Sequence, residues 1–312
     1  MTIAFTFPGQ GSQAVGMGRA LAEAYPEARA VFDEVDSALG EKLSSIIFEG
    51  PIEALTLTEN AQPALMAVSL AATRVLAAKG VGMDRVAYVA GHSLGEYSAL
   101  AAAGMFSVGD AARLLRIRGN AMQAAVPAGV GAMAAILGLE EPEVAAACVE
   151  AASGSVCQIA NDNGGGQLVI SGEKAAVERA AKLCTDKGAK RALMLQVSAP
   201  FHSALMAPAA DTMREALAKA TKNKPAVPVV SNVAVQPLSD PDEIARRLVE
   251  QVTGRVRWRE TVEWFSANGV TTLYEVGAGK VLSGLARRIN RDLATASIGT
   301  SADVEVALAA LN

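Results

Sequence analysis

A serine bracketed by glycines, Ser93, is the strongest candidate for a nucleophile in this chain. It lies in Gly91-His92-Ser93-Leu94-Gly95, directly after an apolar run and directly before a segment with helical periodicity. A G-x-S-x-G pattern at a strand-to-helix turn is typical of a nucleophile elbow, in which small neighbours let the serine Oγ project above the sheet. The sequence therefore predicts nucleophilic catalysis by Ser93.

Only two histidines are available as the base that such a serine needs. His92 is adjacent to Ser93 in a tight turn, so we expect its ring to point elsewhere. His202 lies between a predicted strand and a predicted helix and follows the serine in chain order, as in hydrolase-type folds. A lone loop histidine is more often a surface or packing residue, but an elbow serine with no better partner favours His202 as general base.

The third member of a catalytic triad is not evident. The aspartates between the serine and His202 are Asp110, Asp162 and Asp186, and none stands at an obvious strand end of the main predicted sheet. We therefore favour a Ser–His dyad whose imidazole is oriented by a neutral group.

Arg118 is predicted to lie on the apolar face of a helix. When residues 110–123 are wound at about 100° per residue, the other arginines fall on one face and Arg118 falls among leucines and alanines on the opposite face. A buried guanidinium cannot shed its charge and needs an anionic partner. That partner could be a carboxylate of the fold, in a structural ion pair, or a carboxylate of the substrate, held in a bidentate pair.

The glycine-rich segment Pro8-Gly9-Gln10-Gly11-Ser12-Gln13 follows the first predicted strand. It lacks the G-K-[ST] ending of a P-loop and does not fit G-x-G-x-x-G, which argues against nucleotide binding. Such a loop also offers free backbone N–H groups. We expect the N–H groups of Gln10 and Leu94 to form an oxyanion hole beside Ser93.

Composition excludes several classes of protein. The chain has 312 residues, 51% hydrophobic and 19% charged, with a net charge of −4, which argues against disorder and against a nucleic-acid binder. Three irregularly spaced cysteines predict reduced thiols, and neither histidine is near a cysteine pair, so a metal site is not expected. We find no signal peptide, and the uncharged residues 119–139 are too polar and glycine-rich to span a membrane. A cytoplasmic protein without a membrane partner is expected.

Alternating strand and helix signals predict an α/β fold with a mostly parallel sheet. Between residues 131 and 198 the predicted order is βαββαβ, which is the ferredoxin-like unit. Because its ends lie close together, such a unit can be inserted into a host domain. We predict a large hydrolase-like domain from residues 1–130 and 199–312, with a ferredoxin-like subdomain inserted at 131–198.

Five motifs, in order from Phe7 to about Arg288, resemble those of the malonyl-CoA:acyl carrier protein transacylase family. They are FPGQGSQ, GHSLGE, the RG at Arg118, PFHS and EVGAGKVLSGL. Two positions depart from the family pattern: Ala278 and Arg255 stand where proline is common.

The resemblance implies a ping-pong transfer of malonyl from malonyl-CoA to the phosphopantetheine thiol of acyl carrier protein, with no separate cofactor. It implies that Gln251 orients the imidazole through its backbone carbonyl, and that Arg118 binds the malonyl carboxylate. The remaining implied roles are nucleophile for Ser93, base for His202, oxyanion donors for Gln10 and Leu94, and pocket lining for Asn161 and Phe201. A monomer is expected.

Two other functions share these residues. A serine hydrolase would use the same elbow with water as acceptor, although Arg118 and the absent acid argue against it. A non-catalytic binding module of the same fold would not need both Ser93 and His202. Two basic clusters could dock an acidic carrier protein or could be ordinary solvated faces; they are Lys182, Lys187, Lys190, Arg191 and Arg287, Arg288, Arg291.

Overall fold

A computed structural model describes residues 2–311 as an α/β protein with two sheets. The strands are β1 Ile3–Phe7, β2 Tyr88–Gly91, β3 Gly131–Leu137, β4 Cys157–Asp162, β5 Gln167–Glu173, β6 Arg191–Met194, β7 Val229–Val230, β8 Pro237–Leu238, β9 Val256–Arg257, β10 Thr272–Val276 and β11 Ala294–Ile298. The helices are α1 Arg19–Ala24, α2 Pro26–Leu39, α3 Leu43–Glu49, α4 Ile52–Thr56, α5 Thr58–Ala78, α6 Gly95–Ala102, α7 Val108–Ala124, α8 Glu141–Ala152, α9 Lys174–Asp186, α10 Ala207–Lys219, α11 Pro241–Thr253, α12 Trp258–Ala267, α13 Val281–Ile289 and α14 Ser301–Leu311.

The larger sheet has the strand order β11-β10-β1-β2-β7-β8. All neighbours run parallel except β7 and β8, which pair antiparallel. Strands β1 and β10 are buried along their whole length, as expected for parallel strands covered by helices on both faces. The carboxyl ends of the parallel strands meet at one edge, where loops can bring distant residues together.

The smaller sheet has the order β6-β3-β5-β4-β9. Its first four strands are antiparallel and carry α8 and α9 between them, which is the ferredoxin-like arrangement. The predicted fold class is thus confirmed. Strand β9 lies outside residues 131–198 and pairs parallel with β4, where Asn161 faces Val256. The proposed limits of the inserted unit stay a prediction.

Arg255, one of the two positions that depart from the family pattern, precedes β9 and links the two regions. Its guanidinium lies 2.7 Å from the Glu141 carboxylate on α8. An ion pair there ties the end of the α11 segment to the smaller sheet's helix layer.

The sequence predicts strands over residues 85–90 and 191–197, and in the structure the first begins later and the second ends earlier. Residues 83–85 form a 3₁₀ turn, so β2 begins at Tyr88 instead of Arg85. Strand β6 ends at Met194 instead of Val197, because the chain leaves the sheet there and residues 195–197 line a cavity.

Helix α5 lies in the main hydrophobic core, beside the larger sheet. Of the helices in residues 2–311 it alone is long and apolar enough to cross a membrane by length and composition, yet 83% of its most apolar 18-residue window is buried inside the fold. It packs against α2 and α7, so its apolar surface is used within the core.

Candidate active site

Ser93 lies in a sharp turn between β2 and α6, with φ +55°. The turn depends on its two glycines. A Cβ at Gly91 would lie 1.9 Å from the Gly95 carbonyl, and a Cβ at Gly95 would lie 2.2 Å from the Phe7 carbonyl oxygen. The strained φ of Ser93 is therefore imposed by close backbone approach on both sides, as a nucleophile elbow requires.

The side chain of Asn232 holds this turn with two hydrogen bonds, and Asn232 is not among the site residues predicted from the sequence. Its Oδ1 accepts a hydrogen bond from the Ser93 N–H at 2.8 Å, and its Nδ2 donates to the Gly91 carbonyl at 2.7 Å. The residue is fully buried just after β7, the parallel neighbour of β2. A polar pair at a strand end, Ser231-Asn232, was the available signal, because carboxyl ends of neighbouring parallel strands meet.

His202 contacts Ser93 directly. Its Nε2 lies 2.7 Å from the Ser93 Oγ, and its Nδ1 lies 2.8 Å from the backbone carbonyl of Gln251. Since a carbonyl can only accept, Nδ1 carries the proton and Nε2 is free to accept the serine proton. Burial, aided by the nearby Arg118 charge, lowers the pKa of His202 to about 3, so the imidazole is neutral at pH 7.

His92 points away from the nucleophile. Its Nε2 lies 2.9 Å from the Asn163 Oδ1, and its ring packs against Trp258 with the ring centroids 5.7 Å apart. Its ring thus supports the loop after β4 rather than Ser93.

Arg118 on α7 is 1% exposed and reaches the nucleophile. One Nη donates to the Gln62 Oε1 at 2.8 Å; the other donates to the Gln251 Oε1 at 2.9 Å and to the Ser93 Oγ at 3.1 Å. Within residues 2–311, no carboxylate oxygen lies within 4.0 Å of its guanidinium nitrogens. The structural ion pair that the sequence left open is therefore not formed by these residues.

Two backbone N–H groups beside Ser93 have no acceptor in the described chain. They belong to Gln10, after β1, and to Leu94, before α6. Both residues line the same cavity as Ser93. The Gln10 side chain donates to the Thr58 hydroxyl at 3.0 Å, which holds the glycine-rich loop against α5. This is the arrangement that an oxyanion hole needs.

The cavity has a volume of about 340 Å³ and is lined by residues from the regions of both sheets. The predicted site residues on its wall are Gln10, Ser93, Leu94, Arg118, Asn161, Phe201 and His202. Asn161 comes from β4 of the smaller sheet, so both sheets contribute to the site. Gln251 is not on the wall; it is fully buried behind Ser93 and Arg118.

Sequence comparison identifies the relatives of this chain. Residues 4–299 match the family described as acyl transferase domain. The chain is 49% identical over 305 residues to the malonyl CoA-acyl carrier protein transacylase of Escherichia coli strain K12, covering 98% of each chain.

Solved structures give the same result. The acyl-carrier-protein-S-malonyltransferase of Bartonella henselae superposes with a TM-score of 0.98 and 62% identity, covering 100% of this chain and 99% of that one. A malonyl-transacylase in complex with its type II PKS acyl-carrier protein superposes with a TM-score of 0.97 and 45% identity, covering 99% of this chain and 100% of that one.

Proposed function

The chain belongs to the acyl transferase domain family and, within it, to the malonyl CoA-acyl carrier protein transacylases, and we propose that it transfers malonyl from malonyl-CoA to the phosphopantetheine thiol of an acyl carrier protein. One observation carries the proposal for this chain's own residues. The Arg118 guanidinium, which pairs with no carboxylate of residues 2–311, lies 3.1 Å from a serine Oγ that His202 can deprotonate. At this separation, Arg118 can pair with a carboxylate on the acyl group while Ser93 attacks the carbonyl carbon of the same group.

In the first half-reaction, Ser93 attacks the thioester carbonyl of malonyl-CoA while the His202 Nε2 takes the hydroxyl proton. The N–H groups of Gln10 and Leu94 donate to the oxyanion of the tetrahedral intermediate. When the C–S bond breaks, the imidazolium returns its proton to the departing CoA sulfur. The product is malonyl-Ser93 and free CoA thiol.

The second half-reaction repeats these steps with the carrier protein's thiol as nucleophile. His202 takes the thiol proton, the sulfur attacks the malonyl-Ser93 ester, and the intermediate collapses to release the serine oxygen. That oxygen regains its proton from the imidazolium. The Gln251 carbonyl holds the Nδ1 proton throughout, so the imidazole keeps the useful tautomer without an acidic partner.

Arg118 selects and positions the acyl group. Its planar fork matches a carboxylate bidentately, and its hydrogen bonds to Gln62 and Gln251 fix its plane before substrate arrives. Asn161 and Phe201 line the remaining wall and limit the acyl groups that fit.

Two exposed basic residues on either side of the turn at residues 164–166 support docking of an acidic carrier protein. Gly165 lies against Arg288, Gly166 lies against Gly138, and Gly138 lies against Lys190, so the turn at residues 164–166 joins basic residues of α13 to those before β6. Both are exposed, and within residues 2–311 neither forms an ion pair, whereas Lys182 of the same cluster pairs with Asp186. Every proposed catalytic residue comes from one chain, so the proposed reaction does not need a second copy of it.

Transfer of a labelled malonyl group distinguishes this function from hydrolysis. The protein is mixed with malonyl-CoA labelled in the malonyl group, with a holo carrier protein or with the apo carrier that lacks phosphopantetheine. We expect label on the holo carrier alone and only slow release of free malonate. Rapid release of malonate with either carrier would contradict transfer and would favour a serine hydrolase.

A further inference from the structure

We propose that Glu96 is a positioning residue that fixes the side-chain amide of Gln251 in the orientation that holds Arg118 beside the nucleophile. This inference rests on the proposed function, since it assigns Glu96 a part in selecting a carboxylated acyl group. Glu96 lies in the first turn of α6, three residues after Ser93, and is 1% exposed.

The contacts form a directional chain from Glu96 to Arg118. The Gln251 Nε2 donates to the Glu96 Oε2 at 2.7 Å and to the Ser93 carbonyl at 3.0 Å. On the other side of the same amide, the Gln251 Oε1 accepts from Arg118 at 2.9 Å. The Glu96 Oε2 also accepts from the Asn232 backbone N–H at 3.2 Å, which holds the carboxylate in place.

Only one orientation of the Gln251 amide satisfies both neighbours. A guanidinium has donors and no acceptor, whereas an ionised carboxylate has acceptors and no donor. Rotating the amide by half a turn would place NH₂ against Arg118 and a carbonyl oxygen against Glu96, leaving buried groups unpaired at both ends. The ionised Glu96 therefore adds to the preference that Arg118 and the Ser93 carbonyl already impose on the amide. Gln251 positions His202 through its backbone carbonyl and Arg118 through its side-chain oxygen.

Protonation of Glu96 removes this constraint. Burial raises the pKa of Glu96 to about 7, opposed by the hydrogen bonds from Gln251 and Asn232 and by the Arg118 charge. The groups facing it are Arg118 on α7, its neighbour Tyr97 on α6, the Gln251 amide on α11, and Ser231 and Asn232 after β7. A protonated Glu96 carries an O–H donor and can pair with either amide orientation, so the amide is then held only by Arg118 and the Ser93 carbonyl, and Arg118 is positioned less firmly as pH falls through about 7.

The test compares kcat/KM for acyl-enzyme formation from malonyl-CoA and from acetyl-CoA in E96Q. A carboxamide at position 96 can both donate and accept, so it no longer helps to orient the Gln251 amide, which is then held only by the Ser93 carbonyl and Arg118. We expect kcat/KM for malonyl-CoA to fall about tenfold, the scale of one hydrogen bond to a charged group, with little change for acetyl-CoA. In the unchanged protein the malonyl-to-acetyl ratio should fall as pH drops through about 7, and in E96Q it should be flat.

E275Q is the matched control. Glu275 is also a fully buried carboxylate, but it accepts from the backbone N–H groups of Leu282 and Ser283 at the start of α13. Its substitution should lower the melting temperature and leave the malonyl-to-acetyl ratio unchanged. Equal losses for both substrates in E96Q, or the same ratio change in E275Q, would overturn the proposal.

A second variant keeps the test decisive if E96Q does not fold. Q251M retains the backbone carbonyl that faces His202 and removes the side-chain amide, so it should lower the malonyl-to-acetyl ratio as E96Q does. An unchanged ratio in Q251M, or a ratio independent of pH in the unchanged protein, would also overturn the proposal. Absence of malonyl loading in the unchanged protein would instead contradict the proposed function itself.

Discussion

The Arg118 guanidinium donates a hydrogen bond to the Ser93 Oγ at 3.1 Å, so the cation and the nucleophile are in direct contact. In a malonyl group a single methylene separates the carboxylate from the reacting carbonyl carbon. A substrate carboxylate paired with Arg118 would therefore hold that carbon close to the Oγ. Under the proposed function, selection of the acyl group and its orientation for attack would both follow from this one contact.

R118A should lose malonyl-CoA as a substrate while it keeps acetyl-CoA. Removing the charge-assisted pair is expected to lower kcat/KM for malonyl-CoA on the order of a hundredfold. Rates of acyl-enzyme formation with both substrates measure the effect. R113A on the exposed face of the same helix, where Arg113 pairs with Asp110, is the control and should change neither rate. Equal loss on both substrates would remove the role assigned to Arg118.

The acetyl-CoA reaction should show no acid limb at the usual histidine pKa. Burial lowers the pKa of His202 to about 3, so the imidazole stays neutral and able to accept a proton well below pH 6.5. We expect kcat/KM for acetyl-CoA to stay level from about pH 8 to about pH 5. Initial rates across that range test it. A tenfold loss per pH unit beginning near 6.5 would mean that His202 titrates like an exposed histidine.

N232A should destabilise the turn at Ser93 and so slow the reaction with every substrate. The variant leaves the Ser93 N–H and the Gly91 carbonyl without their buried partner, which is expected to cost about 1–3 kcal/mol of stability for each unpaired group. Malonyl and acetyl rates should fall together, in contrast to R118A. Chemical denaturation measures the stability, and a selective loss of malonyl transfer would show that Asn232 acts otherwise.

G95A should disrupt the fold around the nucleophile. Its new Cβ would lie 2.2 Å from the Phe7 carbonyl oxygen of the buried strand β1, and backbone there cannot move cheaply. We expect a loss of more than about 3 kcal/mol in the free energy of unfolding. The control is G284A in α13, where a new Cβ would meet nothing within 4 Å. This substitution should raise the free energy of unfolding by about 0.5–1 kcal/mol. Normal stability of G95A would contradict the close approach.

Local signals predicted much of the fold. The sequence predicts a strand over residues 3–7, a helix over 141–152 and a strand over 272–276, because each is a periodic or apolar run with proline or glycine at one end. The structure has the same bounds for all three. The position of Arg118 on the buried face also followed from helical periodicity alone. Helices α1–α4 were not predicted; even α2, which ends at Gly40 in the left-handed conformation, was overlooked.

The rest of the site depends on contacts between distant parts of the chain. Asn232 contacts Ser93 across 139 positions, and Gln251 contacts Glu96 across 155. No local periodicity encodes such pairs. Asn232 and Ser93 meet because they follow neighbouring parallel strands, and Gln251 reaches Glu96 from helix α11. Gln251 is implied only by the family resemblance, and no local pattern distinguishes the buried Glu96 from an exposed helix residue.

The intact mass of the protein after exposure to malonyl-CoA tests the central claim most directly. The unchanged protein should gain one malonyl group, lose it again when holo carrier protein is added, and S93A should gain none. A malonyl adduct on S93A equal to that on the unchanged protein, or no adduct on either, would contradict a malonyl-Ser93 intermediate.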